Sequence, residues 1–171
     1  MTLKDYLLKD VELSQRFLIP ENKTGLKKIA AFFAHSGDSW FWGAGLALLW
    51  IFGPQKWRPW IQLLFIGILV TAICVLILKF TIKRPRPEGD WGQIYRSSDP
   101  HSFPSGHAAR ATMLAILILL AGPSWLGLVM IVWALLVAIS RIGLGVHFIS
   151  DILGGAILGI LFGGVVFIIF G

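Results

Sequence analysis

The stretch Phe103–Arg110, FPSGHAAR in one-letter code, joins a short turn directly to a long apolar segment. Ser105 precedes an apolar helical pattern, so it is predicted to cap a helix that runs from Ser105 to Leu120. The first N–H groups of such a helix, including those of Gly106 and His107, can bind an anion, and His107 can exchange a proton near neutral pH. Taken alone, the stretch favours an ordinary capped helix with an interfacial histidine, because short motifs match by chance.

The composition places the chain in a membrane. Hydrophobic residues make up 56% of its 171 residues and charged residues only 14%, and the mean hydropathy is +0.77. The net charge of +6 comes from basic residues at the ends of apolar runs, so anionic lipid headgroups and phosphate substrates are more natural partners than nucleic acid. The single cysteine, Cys74, excludes an intrachain disulfide.

Apolar runs on both sides of the opening stretch predict an all-α bundle of five transmembrane helices. The predicted spans are residues 38–53, 59–80, 105–120, 125–142 and 147–170. The first span is short for a hydrocarbon core of roughly 30 Å, so it is allowed to begin as early as His35. Five crossings place the N-terminus, the polar 81–104 loop and the 142–147 turn on one membrane face.

The N-terminal stretch is predicted to lie on the membrane surface. In residues 3–19 one side of a helical wheel is apolar and the other is charged, which is typical of an interfacial helix. The apolar side holds Leu3, Tyr6, Leu7, Phe17 and Leu18, and the charged side holds Lys9, Glu12 and Arg16. Residues 26–34 repeat the pattern more briefly. We therefore divide the chain into an interfacial segment, residues 1–36, and a transmembrane domain, residues 37–171.

Basic residues gather near the ends of the second and fourth spans. Lys79 ends the second span and Arg86 follows seven residues later, which fits either snorkelling side chains or a clamp on phosphate oxygens. Arg141, at the end of the fourth span, offers a third cation. Lys83 and Arg84 are expected only to attract a headgroup and are given no catalytic role.

His147 and Asp151 are four residues apart at the predicted start of the last helix and therefore share one face. Asp151 could be no more than a favourable charge at a helix N-terminus. The same spacing also suits a carboxylate that orients one imidazole nitrogen and leaves the other free to attack a substrate.

In order along the chain, these clusters read Lys-x6-Arg-Pro at 79–87, Pro-Ser-Gly-His at 104–107 and Ser-Arg-x5-His-x3-Asp at 140–151. This resembles the type 2 phosphatidic acid phosphatase superfamily, whose three-part signature is matched at every signature position. The resemblance covers the chain from about Lys79 to Asp151, and the surrounding apolar segments suit the membrane-bound branch. Three motifs in the right order are far more specific than any one of them.

The resemblance implies a role for each matched residue. His147 corresponds to the nucleophile of the family, Asp151 to the aspartate that holds it, and His107 to the histidine that protonates the leaving oxygen. The residues that cradle the phosphoryl group correspond to Lys79, Arg86, Ser105, Gly106 and Arg141. No metal or cofactor is implied, because three cationic side chains supply the charge and carboxylates near the motifs are few.

The sequence thus predicts a membrane phosphatase that cleaves phosphate monoesters or diphosphates of lipids through a phosphohistidine. Phosphatidic acid, phosphatidylglycerol phosphate, polyprenyl diphosphate and lipid A phosphate all remain open as substrates. A vanadate-dependent haloperoxidase is the enzyme alternative, but those proteins are soluble. A small anion transporter or channel is the other alternative, although transport sites usually lie at mid-membrane. His35 and His101 are taken as bystanders, with His101 the closer to substrate.

The orientation of the protein is predicted differently by two arguments. Basic residues outside the motifs are more numerous on the active-site face than on the opposite face. The positive-inside rule would then make the active-site face cytoplasmic. The basic residues on that face are Lys4, Lys9, Arg16, Lys23, Lys27, Lys28, Lys83, Arg84 and Arg96, against Lys56 and Arg58 on the other face. The resembled bacterial enzymes usually place the site outside. Interfacial helices and phosphate-binding loops are basic for their own reasons, so we expect a cell-membrane protein whose site faces the extracytoplasmic side.

Overall fold

Seven α-helices and one 3₁₀ turn make up the part of the chain that the computed structural model describes, which is residues 3–88, 91 and 99–171. Side chains are described from Asp5 onward. The helices are α1 Leu3–Gln15, α2 Thr24–Ser36, α3 Ser39–Phe52, α4 Arg58–Ile82, α5 Gly106–Ala121, α6 Ser124–Gly143 and α7 Ile149–Phe170, with the 3₁₀ turn at Gln55–Trp57. The described residues include no β-strand beyond an isolated bridge between Pro85 and His101.

Helix α5 forms the centre of the bundle. It packs against α4, α6 and α7, and its side chains Met113, Leu114 and Leu117 are completely buried. Helix α3 packs against α4, α2 against α6, and α1 against the beginning of α7. Because α5 begins at Gly106, the core helix carries the predicted anion-binding turn directly into the interior.

Helices α5 and α7 touch through their backbones along a column of glycines in α7. A Cβ atom on Gly155 would lie 2.5 Å from the carbonyl oxygen of Ser105, and one on Gly159 would meet the carbonyl oxygen of Ala109. Small residues at a helix interface permit such an approach, as in other membrane bundles. The column therefore fixes α7 against the helix that carries His107.

The outer surface of the bundle is apolar, as a membrane protein requires. Large apolar side chains are exposed at helical spacing along α4 and α6, for example Leu69, Ile73, Leu128 and Val132. Among the described helices, Gln55–Ile82, Ser124–Gly143 and Ile149–Phe170 are long and apolar enough to cross a membrane. Ser39–Phe52 and Gly106–Ala121 are equally apolar in character but shorter.

The predicted helix ends differ from the observed ones in three places. The first apolar run does not begin near His35, because α2 ends at Ser36 and the chain turns at Gly37 before α3. The predicted helix at residues 3–19 ends at Gln15. The last helix begins at Ile149, so the prediction that His147 lies within it was wrong.

Two residues with positive φ shape the turns that carry the motifs. Lys83, which ends α4, has φ 53°, and Gly145, between α6 and α7, has φ 66°. Glycine adopts this region at no steric cost, which explains its use in the second turn. The first turn directs Arg84 and Arg86 back over the bundle, and the second places His147 next to Arg141.

Candidate active site

The three sequence motifs meet at one end of the bundle. They come from the end of α4 and the residues after it, the start of α5, the end of α6 and the turn into α7. The polar side chains that the motifs bring together are almost entirely inaccessible to solvent: Lys79, Arg86, Ser105, Arg141, His147 and Asp151. Buried charges are expensive to maintain without partners, so a cluster of this kind marks a candidate functional site.

His147 lies between a carboxylate and an arginine. Its Nδ1 is 3.5 Å from Oδ2 of Asp151, and its Nε2 is 3.2 Å from Nη1 of Arg86. Asp151 Oδ2 also accepts the backbone N–H of Phe148 at 2.9 Å, which caps the start of α7. The imidazole therefore has one nitrogen directed at an orienting carboxylate and the other directed at the cationic side of the site.

Burial, and then the cations around it, set the protonation state of His147. Complete burial, then the charges of Arg141, Arg86 and Lys79, lower the pKa of His147 well below its usual value of 6.5. Arg86 is itself fixed, because its Nη1 donates to the carbonyl oxygen of Val146 at 2.9 Å. His147 is therefore neutral at physiological pH, the form in which an imidazole nitrogen can act as a nucleophile.

Asp99 spans the two cations of the first motif. Its carboxylate Oδ2 accepts from Lys79 Nζ and, at 2.7 Å, from Arg86 Nη2, and its backbone oxygen accepts from Arg86 Nε at 2.6 Å. A carboxylate thus occupies the position in which two cations would hold a phosphate. Asp99 comes from the loop rather than from a motif, and it adds a carboxylate to the site that the motifs do not contain. The prediction that carboxylates near the motifs are few was therefore wrong.

His107, in the first turn of α5, is paired with a different carboxylate. Its Nε2 lies 2.7 Å from Oδ1 of Asp38, the residue before α3. Burial raises the pKa of Asp38, but the hydrogen bond and charge of His107, with a smaller contribution from His35, outweigh it and lower that pKa to about 2. Arg110 holds the turn in place by donating to the carbonyl oxygen of Gly37 at 2.9 Å.

Ser105 and Gly106 lie where the sequence predicts them, at the start of α5. Ser105 is the N-cap residue, and its Oγ accepts the backbone N–H of Ala108 at 3.4 Å. The charge of Arg141, which is fully buried, acts on both His107 and His147. Arg141 thus connects the two histidines electrostatically into one site.

Two cavities reach this cluster from different sides. One, of about 500 Å³, is lined by Lys79, Asp99 and His107 and continues along α4 past Val75 and Thr71. The other, of about 320 Å³, is lined by Arg86 and His147 and by residues of α1, among them Val11 and Ser14. Each histidine therefore lines one of the two cavities, and Asp99, which is bonded to both Lys79 and Arg86, lies between them.

Besides Asp38 and Asp99, sequence reasoning missed three residues that bond to the start of α7. Arg84 was expected only to attract a headgroup, but its Nη1 donates to Asp151 Oδ1 at 2.8 Å, so that expectation was wrong. Asp10 and Ser14, both in α1, also bond to the start of α7. Both lie within the apolar face of α1, because they follow Leu7 at helical spacing. Two polar residues in an apolar stripe were the available signal.

The remaining predicted positions play smaller parts. His35 Nδ1 lies 3.3 Å from Oδ2 of Asp38, and His101 packs edge-on against Phe80. Arg96 lies outside the described residues. Within the described part of the chain, no three His, Cys, Asp or Glu side chains converge as metal ligands. Metal independence stays a prediction.

Fold and site together define a class, an all-helical membrane protein with a buried cluster of cations and two histidine–carboxylate pairs at one end of its bundle. The model of the PAP2 superfamily matches residues 60–171. The chain therefore belongs to the PAP2 superfamily, which comprises the type 2 phosphatidic acid phosphatases and their relatives.

Individual relatives agree with this assignment. An undecaprenyl-diphosphatase of Sulfolobus acidocaldarius is 30% identical over 138 residues, 78% of this chain and 66% of that protein. Phosphatidylglycerophosphatase B of Bacillus subtilis is 34% identical over 129 residues, 70% of this chain and 59% of that protein. The match thus spans less than two thirds of either relative. The crystal structure of a transmembrane PAP2-type phosphatidylglycerolphosphate phosphatase from Bacillus subtilis superposes with a TM-score of 0.79 at 26% identity, covering 96% of this chain and 86% of that one.

Proposed function

We propose that the protein is an integral membrane phosphatase that hydrolyses phosphate monoesters or diphosphates of lipids. The observation that carries the proposal is the buried His147, oriented by Asp151 on one side and facing Arg86 on the other. Phosphoryl transfer needs positioned positive charge more than it needs covalent machinery. Lys79, Arg86 and Arg141 supply that charge, and Ser105 and Gly106 complete the phosphate cradle at the start of α5.

The first chemical step is attack by His147. The electron pair of its Nε2 forms a bond to phosphorus while the bond between phosphorus and the lipid oxygen breaks. Nδ1 carries the proton and faces Asp151 at 3.5 Å, whose carboxylate stabilises the positive charge of the phosphohistidine, while Nε2 keeps the electron pair that attacks. The phosphate displaces the carboxylate of Asp99 from Lys79 and Arg86 as it binds.

His107 is the general acid of the first step and the general base of the second. It donates a proton to the departing alkoxide, and the carboxylate of Asp38 at 2.7 Å stabilises the protonated ring before that transfer. In the second step His107 accepts a proton from water, whose oxygen bonds to phosphorus while the bond between phosphorus and Nε2 of His147 breaks and returns its electron pair to the ring. Inorganic phosphate leaves, and His147 returns to its neutral form.

The substrate is a lipid rather than a soluble phosphate ester. The cavity beside Lys79 and His107 continues along α4 past the apolar Val75 and Leu76, where an acyl or prenyl chain can lie while its phosphate reaches the cations. The relatives in Sulfolobus acidocaldarius and Bacillus subtilis are named for undecaprenyl diphosphate and phosphatidylglycerophosphate. Lipid monophosphates and prenyl diphosphates are accordingly the substrates to test first.

We further propose that helices α3 to α7 cross the cell membrane and place the site on its extracytoplasmic side. Residues 1–36 then form a surface segment and residues 37–171 the transmembrane phosphatase domain. The apolar residues Tyr6, Leu8 and Phe17 are exposed on the N-terminal segment, as an interfacial location requires. Arg84, which counted towards a cytoplasmic site, is mostly buried and ion-paired, so it is a poor topological signal.

Phosphate release from purified protein in detergent tests this function. The substrates are phosphatidic acid, phosphatidylglycerol phosphate, an undecaprenyl diphosphate and a lipid A phosphate, and His147→Ala is the matched inactive control. Activity is expected to persist in EDTA and to be inhibited by vanadate, which mimics the transferring phosphoryl group. Strict dependence on added magnesium would contradict the mechanism. Absence of phosphate release from every lipid, together with anion flux in proteoliposomes, would favour a transporter.

A further inference from the structure

Side-chain hydrogen bonds join helix α1 to the first turn of α7, the helix that carries Asp151. Asp10 Oδ1 accepts the backbone N–H of Ser150 at 3.1 Å, and Asp10 Oδ2 accepts the hydroxyl of Ser150 at 2.6 Å. Ser14 Oγ accepts the backbone N–H of Ile149 at 2.9 Å. The first N–H groups of a helix have no partner within that helix. Here α1, far away in sequence, supplies partners for two of them.

Arg84 extends this contact to the carboxylate of Asp151. Its Nη2 lies 2.7 Å from Asp10 Oδ2, and its Nη1 lies 2.8 Å from Asp151 Oδ1. The guanidinium also stacks 4.2 Å from the ring centroid of Phe148. The side chains of Asp10 and Arg84 are only 14% and 12% exposed, and that of Asp151 is fully buried, so these ion pairs are less screened than surface pairs.

The two oxygens of Asp151 have different partners. Oδ1 receives Arg84, whereas Oδ2 receives the backbone N–H of Phe148 and faces His147 Nδ1. The position of Oδ2 next to the imidazole therefore depends on what holds Oδ1 and the first turn of α7. Asp10 also pairs with Arg84 and so offsets part of its positive charge. The negative field of Asp151 at His147 is therefore stronger than it would be if Asp151 alone paired with Arg84.

We propose that Asp10 is a positioning residue for the catalytic pair, acting through Arg84 and the first turn of α7. In this role α1 belongs to the active site as well as to the membrane surface. The inference rests on the proposed phosphatase function, because its main consequence is a change in turnover.

Asp10→Asn tests the inference with little change in size. It keeps an acceptor for the backbone N–H of Ser150, but it replaces Oδ2, which receives the Ser150 hydroxyl and Arg84, with an uncharged NH2 group. We expect kcat to fall about tenfold or more, as for other residues that orient a reacting group, while KM changes by less than about twofold. Asp10→Glu restores the charge and should recover part of kcat. The matched control is Glu12→Gln, which removes an exposed carboxylate of the same helix that pairs only locally with Arg16.

A double-mutant cycle separates positioning from general destabilisation. If Asp10 acts through Asp151, then Asp10→Asn should cause no further loss of kcat in an Asp151→Asn background. Equal fold losses in both backgrounds would overturn the inference, since a merely structural role reduces kcat independently of Asp151. A kcat for Asp10→Asn equal to that of Glu12→Gln would overturn it as well.

Amide hydrogen exchange at residues 149–151 provides a readout that does not depend on activity. Asp10→Ala should raise exchange there, and Glu12→Gln should not; unchanged exchange would show that α1 does not cap α7. An inactive wild-type protein would instead refute the phosphatase function and the positioning role with it. An active wild type whose Asp10 variants keep full kcat would refute the inference alone.

Discussion

At the scale of single residues, the two histidines differ in their partners and therefore in their expected roles. His147 is fully buried, faces Arg86 through Nε2 and has the carboxylate of Asp151 3.5 Å from its Nδ1. His107 lies at the start of α5 and is held by Asp38, which is ionised across the physiological range because its pKa is lowered to about 2. The first arrangement suits a nucleophile and the second a proton donor.

Substituting each histidine by alanine should separate these roles. His147→Ala should abolish turnover of every substrate, because all must pass through the phosphohistidine. His107→Ala should lose roughly 10²–10⁴ in rate on a lipid phosphate, whose alkoxide needs protonation, and far less on an aryl phosphate with a good leaving group. Rapid quenching should trap an acid-labile adduct on His147. An adduct on His107 would exchange the two roles.

The contacts of Asp99 with Lys79 and Arg86 lead to a prediction for an Asp99 variant. Asp99→Asn keeps the shape but removes the charge that competes with phosphate for Lys79 and Arg86. Because the Asp99 side chain is 39% exposed, the expected fall in KM, and in the inhibition constant of vanadate, is modest, up to about fivefold. A higher KM would show that Asp99 supports the cations instead of competing with substrate.

The protonation state of His147 leads to a prediction for pH dependence. Burial and the charges of Arg141, Arg86 and Lys79 lower its pKa, so the neutral nucleophile persists below the usual value of 6.5. With an aryl phosphate, kcat/KM should therefore stay level as the pH falls through 6.5 and decline only in more acidic buffer. A decline centred at or above pH 6.5 would contradict this assignment.

Motif spacing predicted eight site residues, and all of them except His147 lie on the predicted elements. It could not predict the pairing of Asp10 with Arg84 or of Asp38 with His107, because the partners lie 74 and 69 residues apart and no local pattern links them. Nor could it predict Asp99, whose partner Lys79 lies 20 residues away, across the loop. Such pairs are created by packing and become visible only in three dimensions.

At the scale of helices, the sequence predicted the existence and the order of the apolar helices well, because a long apolar run can form few structures other than a buried or membrane-spanning helix. The five apolar helices lie within about two residues of the predicted spans at each end. The sequence did not predict that α7 begins after His147, since the turn depends on Gly145 at positive φ and on capping by Asp151 and α1. The capping of a helix by a residue far away in sequence leaves no local sequence signal.

The glycine column allows a matched test at this scale. A Cβ at position 159 would meet the backbone of α5, whereas a Cβ at position 164 would have nothing within 4 Å. Gly159→Ala should destabilise the protein by about 2 kcal/mol or more through overpacking and should reduce kcat by displacing α7. Gly164→Ala should leave thermal unfolding in detergent and kcat unchanged. Equal behaviour of the two variants would show that the helix contact is loose.

At the scale of the whole molecule, the proposed five-span arrangement makes a prediction about sidedness. Single cysteines in place of Lys23 and Glu88 should react with an impermeant reagent from the extracytoplasmic side, and one in place of Lys56 only from the other side. Cys74 lies within α4 and serves as the unreactive background. Labelling of Lys23 and Glu88 positions from opposite sides would contradict the span count, and labelling of both from the cytoplasm would reverse the orientation.

The bond between α1 and α7 also has a consequence for biosynthesis. Asp10 leaves the ribosome 140 residues ahead of Ser150, its partner. During translation the earlier helices can enter the membrane while Asp10 and Arg84 still await the carboxylate of Asp151. A nascent chain therefore carries Lys79, Arg84 and Arg86 at least 61 residues before it carries His147 and Asp151. Under the proposed phosphatase function, the site is complete only when the last helix is inserted, so partly synthesised chains cannot act on the lipids around them.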